Sequence, residues 1–164
     1  MLDDILDELT GGFSAVPVGQ SAIRLGMALL LGALIGIERE ASRKPAGLRT
    51  HMLISMAACL FILVSQNLAT LEFGPRESMR VDPLRLVEAV TAGVAFLGAG
   101  TIFASGGRVK NVTTGASMWL AGAVGLVCGA GQEGLAALAA GVVVTILMLL
   151  GWVERRMGWD DPER

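Results

Sequence analysis

Five apolar stretches, at about 21–37, 52–71, 86–104, 112–130 and 135–153, alternate with short polar links along the chain. A helix needs about 20 mostly apolar residues to cross the hydrocarbon core, and ~17 is the lower end. Each stretch reaches that length. The pattern predicts an all-α membrane protein, a bundle of five transmembrane helices over 21–153, with a leading segment 1–20 and a tail 154–164. In the leading segment Leu2, Ile5, Leu6 and Leu9 recur at helical spacing, while Asp3, Asp4, Asp7 and Glu8 take the other face. That reads as a short amphipathic helix that caps the bundle or lies along its surface. Its acidity argues against anionic lipid as its partner.

The basic residues sort onto alternate connections. Arg39, Arg43, Lys44 and Arg49 fall in the first link, Arg108 and Lys110 in the third, and Arg155, Arg156 and Arg164 in the tail. Only Arg76, Arg80 and Arg85 fall on the opposite side, with Arg24 just inside the first stretch. Lys and Arg stay on the cytoplasmic side of a membrane. The asymmetry of nine against three therefore predicts an outside N-terminus and a cytoplasmic C-terminus. Met1-Leu2-Asp3-Asp4 lacks a basic n-region and does not read as a signal peptide.

Composition adds detail. The chain is 53% hydrophobic with 22 glycines in 164 residues, and the links are too short for a soluble domain. A net charge of −2 without a basic run gives no sign of a nucleic-acid partner. One histidine and no HExxH, GxSxG or P-loop leave no enzyme motif. Cys59 and Cys128 fall at different expected depths, so they read as small hydrophobes rather than a disulfide.

Spans in lipid associate through close backbone approach and a few polar contacts, because lipid is as apolar as leucine. Small residues form stripes suited to that: Ala28, Gly32 and Gly36; Ala92, Ala95 and Ala99; Gly115, Gly122 and Gly129 with Gly125 nearby; and, more weakly, Ala136 and Ala140. Gly98 and Gly100 add two more small positions in the third span. Helix packing is the reading given to these glycines, with a ligand contact or hinge as the alternative. The second span has Ser55, and Ser65, Gln66 and Asn67 near its outer end. Trp152 and Trp159 suit interfacial anchors, and Trp119 reads as a packing residue facing the stripes.

Two polar sets carry the candidate chemistry. At the predicted cytoplasmic face Glu38, Arg39 and Glu40 end the first span, Arg49 and His51 begin the second, and Thr113 and Thr114 begin the fourth. Phe96-Leu97-Gly98-Ala99-Gly100 lies in the inner half of the third span, so four segments converge at one end. Thr113 and Thr114 can cap a helix or leave its N–H groups to an anion. The set is either one site or ordinary boundary charge, and a Glu38–Arg49 pair is the specific form of the first. If the first helix runs to its end, Arg39 continues the Ala28–Gly32–Gly36 stripe and Glu38 points elsewhere. The second set is Asp82, Arg85 and Glu88 on the outer side. Glu88 shares a face with Ala92, Ala95 and Ala99, so it is expected inside the bundle with a partner, since a lone charge at mid-bilayer costs about 2.5–3.5 kcal/mol. Glu38, Glu40, Asp82 and Glu88 supply the hard oxygens magnesium takes, but they divide between two faces and do not make one site.

The ordered segments Gly36-Ile37-Glu38-Arg39-Glu40, Ala46-Gly47-Leu48-Arg49-Thr50-His51, Asp82-Pro83, Gly93-Val94-Ala95-Phe96-Leu97-Gly98-Ala99-Gly100 and Thr113-Thr114-Gly115-Ala116-Ser117-Met118-Trp119 resemble the successive motifs of the bacterial MgtC/SapB membrane family. The resemblance spans about residues 32–131. It implies a five-span bacterial inner-membrane protein linked to growth at low magnesium and, in pathogens, to survival inside host cells. It implies no cofactor beyond a possible magnesium ion. As partners it implies membrane lipid, another copy or another membrane protein, the ATP synthase among them. The chain departs from the family in carrying Asn111-Val112 where Gly-Leu is common. Many members also carry a cytoplasmic C-terminal regulatory domain, and this chain, ending at Arg164, resembles the short form. Two functions follow: a non-enzymatic regulator working through helix faces, and a divalent-cation transporter or channel.

Overall fold

A computed structural model describes residues 1, 15–70, 82–105 and 107–158. Among them are five helices: α1 (Val18–Ala41), α2 (Leu48–Leu68), α3 (Pro83–Thr101), α4 (Val112–Gly129) and α5 (Glu133–Met157). All five are long and apolar enough to cross a membrane. Most of the expected N-terminal amphipathic helix, and Trp159 with the end of the tail, lie outside the described residues.

The helices alternate in direction. A Cβ placed on Gly36 would meet Leu48, and one on Gly32 would meet His51 and Ser55, so α1 and α2 run antiparallel. Gly122 meets Val94 and Gly98 meets Gly115, so α3 and α4 are antiparallel too. The C-terminal ends of α1 and α3 and the N-terminal ends of α2 and α4 therefore share one end of the bundle. The α4–α5 turn lies at the other, against Arg24.

α4 is the hub and touches all four other helices. Its glycines make this possible. A Cβ on Gly125 would overlap the Ser55 carbonyl, and one on Gly129 would lie 2.8 Å from the Cys59 carbonyl oxygen. α2 and α4 thus pack backbone on backbone, the close approach by which helices associate in lipid. Ile35, Cys59, Ala121, Val124 and Cys128 fill the space between these contacts. Cys59 sits against Gly129, so the two cysteines share one level rather than differing in depth; both are free and buried.

α3 corrects the expected facing. Its buried residues are Val90, Val94 and Gly98, while Ala92, Ala95, Ala99 and Glu88 are exposed. The reason is that α4 offers Gly115 and Gly122 as hollows, and Gly98 and Val94 fit them. Gly100 meets nothing within 4 Å and is not a packing position. Trp119 likewise turns outward, 44% exposed, because the opposite side of α4 is the crowded one.

Between α3 and α4 the chain forms a feature absent from the expected all-helical pattern. β1 (Phe103–Ser105) pairs antiparallel with β2 (Arg108–Lys110). Gly107 turns the hairpin at φ 77°, where glycine carries no Cβ penalty. Asn111 closes it. Its φ of 65° is left-handed, and its side-chain N–H donates to the Thr101 carbonyl at 3.0 Å. That satisfies one of the carbonyls orphaned at the end of α3. The left-handed backbone also accounts for the departure at this position: glycine adopts it freely, and Asn is among the few other residues that do.

Candidate functional site

Two polar clusters lie between the helices, one near each end, the first buried and the second half-buried. The first joins α1, α2 and α4. His51 is fully buried. Its Nδ1 meets the Gly47 carbonyl at 2.8 Å and its Nε2 meets Ser117 Oγ at 3.0 Å. The carbonyl can only accept, so Nδ1 carries a proton. Ser117 Oγ lies 2.9 Å from the Thr114 carbonyl as well. One hydroxyl proton thus has two acceptors in reach while the imidazole is neutral. Ser55 and Thr114 are also buried, and neither hydroxyl finds a partner; nor does Arg39 Nη1. A buried polar group without a hydrogen bond costs about 1–3 kcal/mol, so each of these three atoms is a point at which a water or small polar group would be held.

Arg39 is buried, as its place on the Gly32–Gly36 stripe predicts. Its partner is its own neighbour Glu38, the residue expected to pair with Arg49. Glu38 takes Arg39 Nε at 2.6 Å and Nη2 at 3.1 Å, and accepts a third bond from Ser42 Oγ at 2.8 Å. Arg49 is exposed and does not join this pair. Glu40 does something else. Its carboxylate accepts the Leu48 N–H at 3.1 Å, at the start of α2. A negative group there suits the orphan amides and the helix dipole. A Cβ on Gly47 would overlap this carboxylate, so glycine is required for Glu40 to reach. Thr113 is exposed and Thr114 buried, so the threonine pair divides. Of the set expected at the cytoplasmic face, then, Glu38 with Arg39 and His51 with Thr114 lie inside the bundle. Glu40, Arg49 and Thr113 are exposed.

The second cluster was not singled out in the sequence. Arg24 Nη1 donates to the Gly129 carbonyl at 2.9 Å and to Gln66 Oε1 at 3.1 Å, and its Nε lies 3.9 Å from Glu133. Gln66 donates to the same Gly129 carbonyl at 3.3 Å. One arginine thereby joins α1, α2, α4 and α5 and neutralises the carbonyl end of α4. Asn67 accepts the Ala15 N–H at 3.0 Å nearby. The available signal was Arg24 itself, a cation placed one turn inside an apolar span.

Asp82, Arg85 and Glu88 form no cluster. Asp82 caps α3 by accepting the Leu84 N–H at 3.0 Å. Arg85 and Glu88 are exposed. Glu88 lies about one and a half turns from the start of α3, near enough to the span end for its carboxylate to reach the interface. At the end of α5 Arg156 covers the exposed Trp152 ring at 5.5 Å, which suits an interfacial anchor.

No solved structure matches the chain significantly. Curated relatives do. SapB of Bacillus subtilis is 38% identical over 141 residues, covering 84% of this chain and 60% of that protein. MgtC of Brucella abortus is 37% identical over 134 residues, covering 82% and 52%. The Escherichia coli protein named "Putative magnesium transporter YhiD" is 38% identical over 127 residues, covering 77% and 58%. The chain thus spans about half the length of the relatives it matches. The model of the MgtC family matches residues 25–156, which hold the whole first cluster and all of the second except Arg24 and Ala15. The chain belongs to the MgtC family.

Proposed function

We propose that this chain serves magnesium homeostasis or adaptation to low magnesium in the bacterial inner membrane. In this reading it is a non-enzymatic regulator that works through contacts with another membrane protein. The observation that carries it is the uneven packing of the bundle. α1, α2 and α4 are locked along their glycine contacts. α3 rests chiefly on α4, and α5 turns most of its residues outward. The outward faces include Ala92, Ala95 and Ala99 on α3 and Gly141 with Leu138 and Val142 on α5. Small residues there permit the close approach on which helix association in lipid depends. A locked core beside two open faces suits a scaffold for a second protein. The magnesium connection is carried over from the name of the Escherichia coli relative.

Transport of a divalent cation is the second reading, favoured by the unpaired hydroxyl oxygens Ser55 Oγ and Thr114 Oγ1 inside the bundle. Vesicles holding the purified chain and a magnesium-sensitive dye separate the two. The regulator reading expects magnesium entry no faster than in protein-free vesicles. It also expects Ala95→Trp to fold normally but lose support of growth at low magnesium. Protein-dependent entry that falls in Thr114→Val would replace it with transport.

The basic asymmetry supports an outside N-terminus and a cytoplasmic C-terminus. A reporter active only in the cytoplasm should work when fused after Arg164. Silence there, with activity from an N-terminal fusion, would reverse the assignment.

A further inference from the structure

We infer that the β1–β2 hairpin is an interfacial binding surface for the headgroups of anionic phospholipids. The inference is independent of whether the chain regulates or transports. It begins with placement. α3 ends its candidate span at Thr101 and α4 begins its own at Val112, so the hairpin occupies the membrane boundary between two spans. It is fixed there by the Asn111 bond to the Thr101 carbonyl. The strand residues are exposed, with only Lys110 half-buried, so the bundle does not cover the hairpin.

The register decides what each face presents. Phe103 lies opposite Lys110 and Ser105 opposite Arg108, which puts all four on one face; Ala104 and Val109 share the other. One face thus combines an aromatic ring with two cations. Phe103 is 53% exposed and Val109 58% exposed, beside the exposed Ile102 and Val112. Apolar side chains of this size next to basic ones suit the boundary of a bilayer, where rings enter the acyl region and cations meet phosphates.

The charge pattern selects the lipid. From Ala89 to Gln132 the sequence holds no Asp or Glu, and Arg108 and Lys110 are its only charged residues. Arg43 and Arg49, both exposed, stand at the same end of the bundle. At that end the exposed bases Arg43, Arg49 and Arg108 outnumber the exposed acid Glu40, and a surface with such an excess of positive charge is complementary to an anionic leaflet. Each Lys or Arg near such a surface strengthens attraction about fivefold, so the pair contributes roughly thirtyfold.

A nitroxide at Ser105→Cys tests the inference in the full chain, because Cys59 and Cys128 are buried and leave the new thiol as the accessible one. The label's access to a water-soluble relaxation agent is measured in vesicles of phosphatidylcholine alone and of phosphatidylcholine with phosphatidylglycerol at 7:3. The expected result is a clear loss of water access in the mixed vesicles. Arg108→Gln with Lys110→Gln should abolish that difference, and Arg108→Lys with Lys110→Arg should keep it. Both pairs change exposed Arg108 and half-buried Lys110 on the hairpin, outside the packed core. Equal access in the two lipids for the native hairpin would overturn the inference. So would protection that survives in lipid-free detergent, since a protein surface would then be covering the hairpin.

Discussion

Gly125→Ala should remove most of the folded protein, while Gly93→Ala should leave it intact. The two substitutions are chemically identical and both fall inside helices. They differ in what the new methyl meets. At Gly93 it meets nothing within 4 Å. At Gly125 it overlaps the Ser55 carbonyl and lies 2.8 Å from the Ser55 Cα. Those atoms are backbone and cannot rotate aside. Relief requires α2 and α4 to separate, and that would loosen the neighbouring contact of Gly129 with Cys59. Overpacking in a dense core costs about 1–3 kcal/mol and sometimes more. A rigid neighbour places this case at the upper end, roughly a hundredfold in the folded-to-unfolded ratio. Gly93→Ala gains helix propensity of about 0.8–1 kcal/mol instead. The yield of monodisperse protein in mild detergent and the midpoint of SDS unfolding measure the contrast. Equal behaviour of the two variants would mean that the α2–α4 contact is looser than the structure has it.

This contrast also marks what can be read from a chain of this kind. The five spans were legible because length and apolar content are local properties. Asp82-Pro83 is likewise a local signal, for a turn or a helix start, and it stands at the start of α3. Which face of a span turns inward was not legible from small residues alone. Ala92, Ala95 and Ala99 repeat at helical spacing as well as Val90, Val94 and Gly98 do, and only the hollows at Gly115 and Gly122 choose between them. Glu88 followed the alanines outward. In lipid the usual guide fails, since an apolar side chain is equally at home on either face. Polar residues inform better there. His51 and Arg39 are buried and bonded, and the placement of Arg39 followed from its register with Gly32 and Gly36. Their partners were another matter. Ser117 stood in plain sight one turn beyond Thr114, yet its bond to His51 depends on how α2 and α4 pack. The hairpin escaped because two strands of three residues give little alternation to read. Gly106-Gly107 was its one local sign.

Arg39→Met should destabilise the chain strongly, and no change at Arg49 should repair a defect at Glu38. Sequence placement suggested that Glu38 pairs with Arg49 across two helices. The structure instead gives Glu38 to Arg39 through two bonds and to Ser42 through a third. The side chains of the pair are only 5% and 11% exposed. Successive residues on a helix point about 100° apart, so both side chains must bend toward each other, and burial keeps them there. Removing one member of a buried pair costs about 3–5 kcal/mol, because the other charge stays behind. The pair lies at the end of the bundle rather than at its centre, so the lower value is expected for Arg39→Met. Glu38→Gln should cost less than that, since its amide oxygen still accepts from Arg39 or Ser42. Combining Glu38→Gln with Arg39→Met should cost less than the two losses added, as partners in contact are not independent. SDS unfolding of the four proteins completes the cycle. Glu38→Arg should be poorly folded, and adding Arg49→Glu should leave it so, because Arg49 is exposed and outside the pair. Recovery in that double variant, together with simple additivity at 38 and 39, would return Glu38 to Arg49 and take the buried pair away from Arg39.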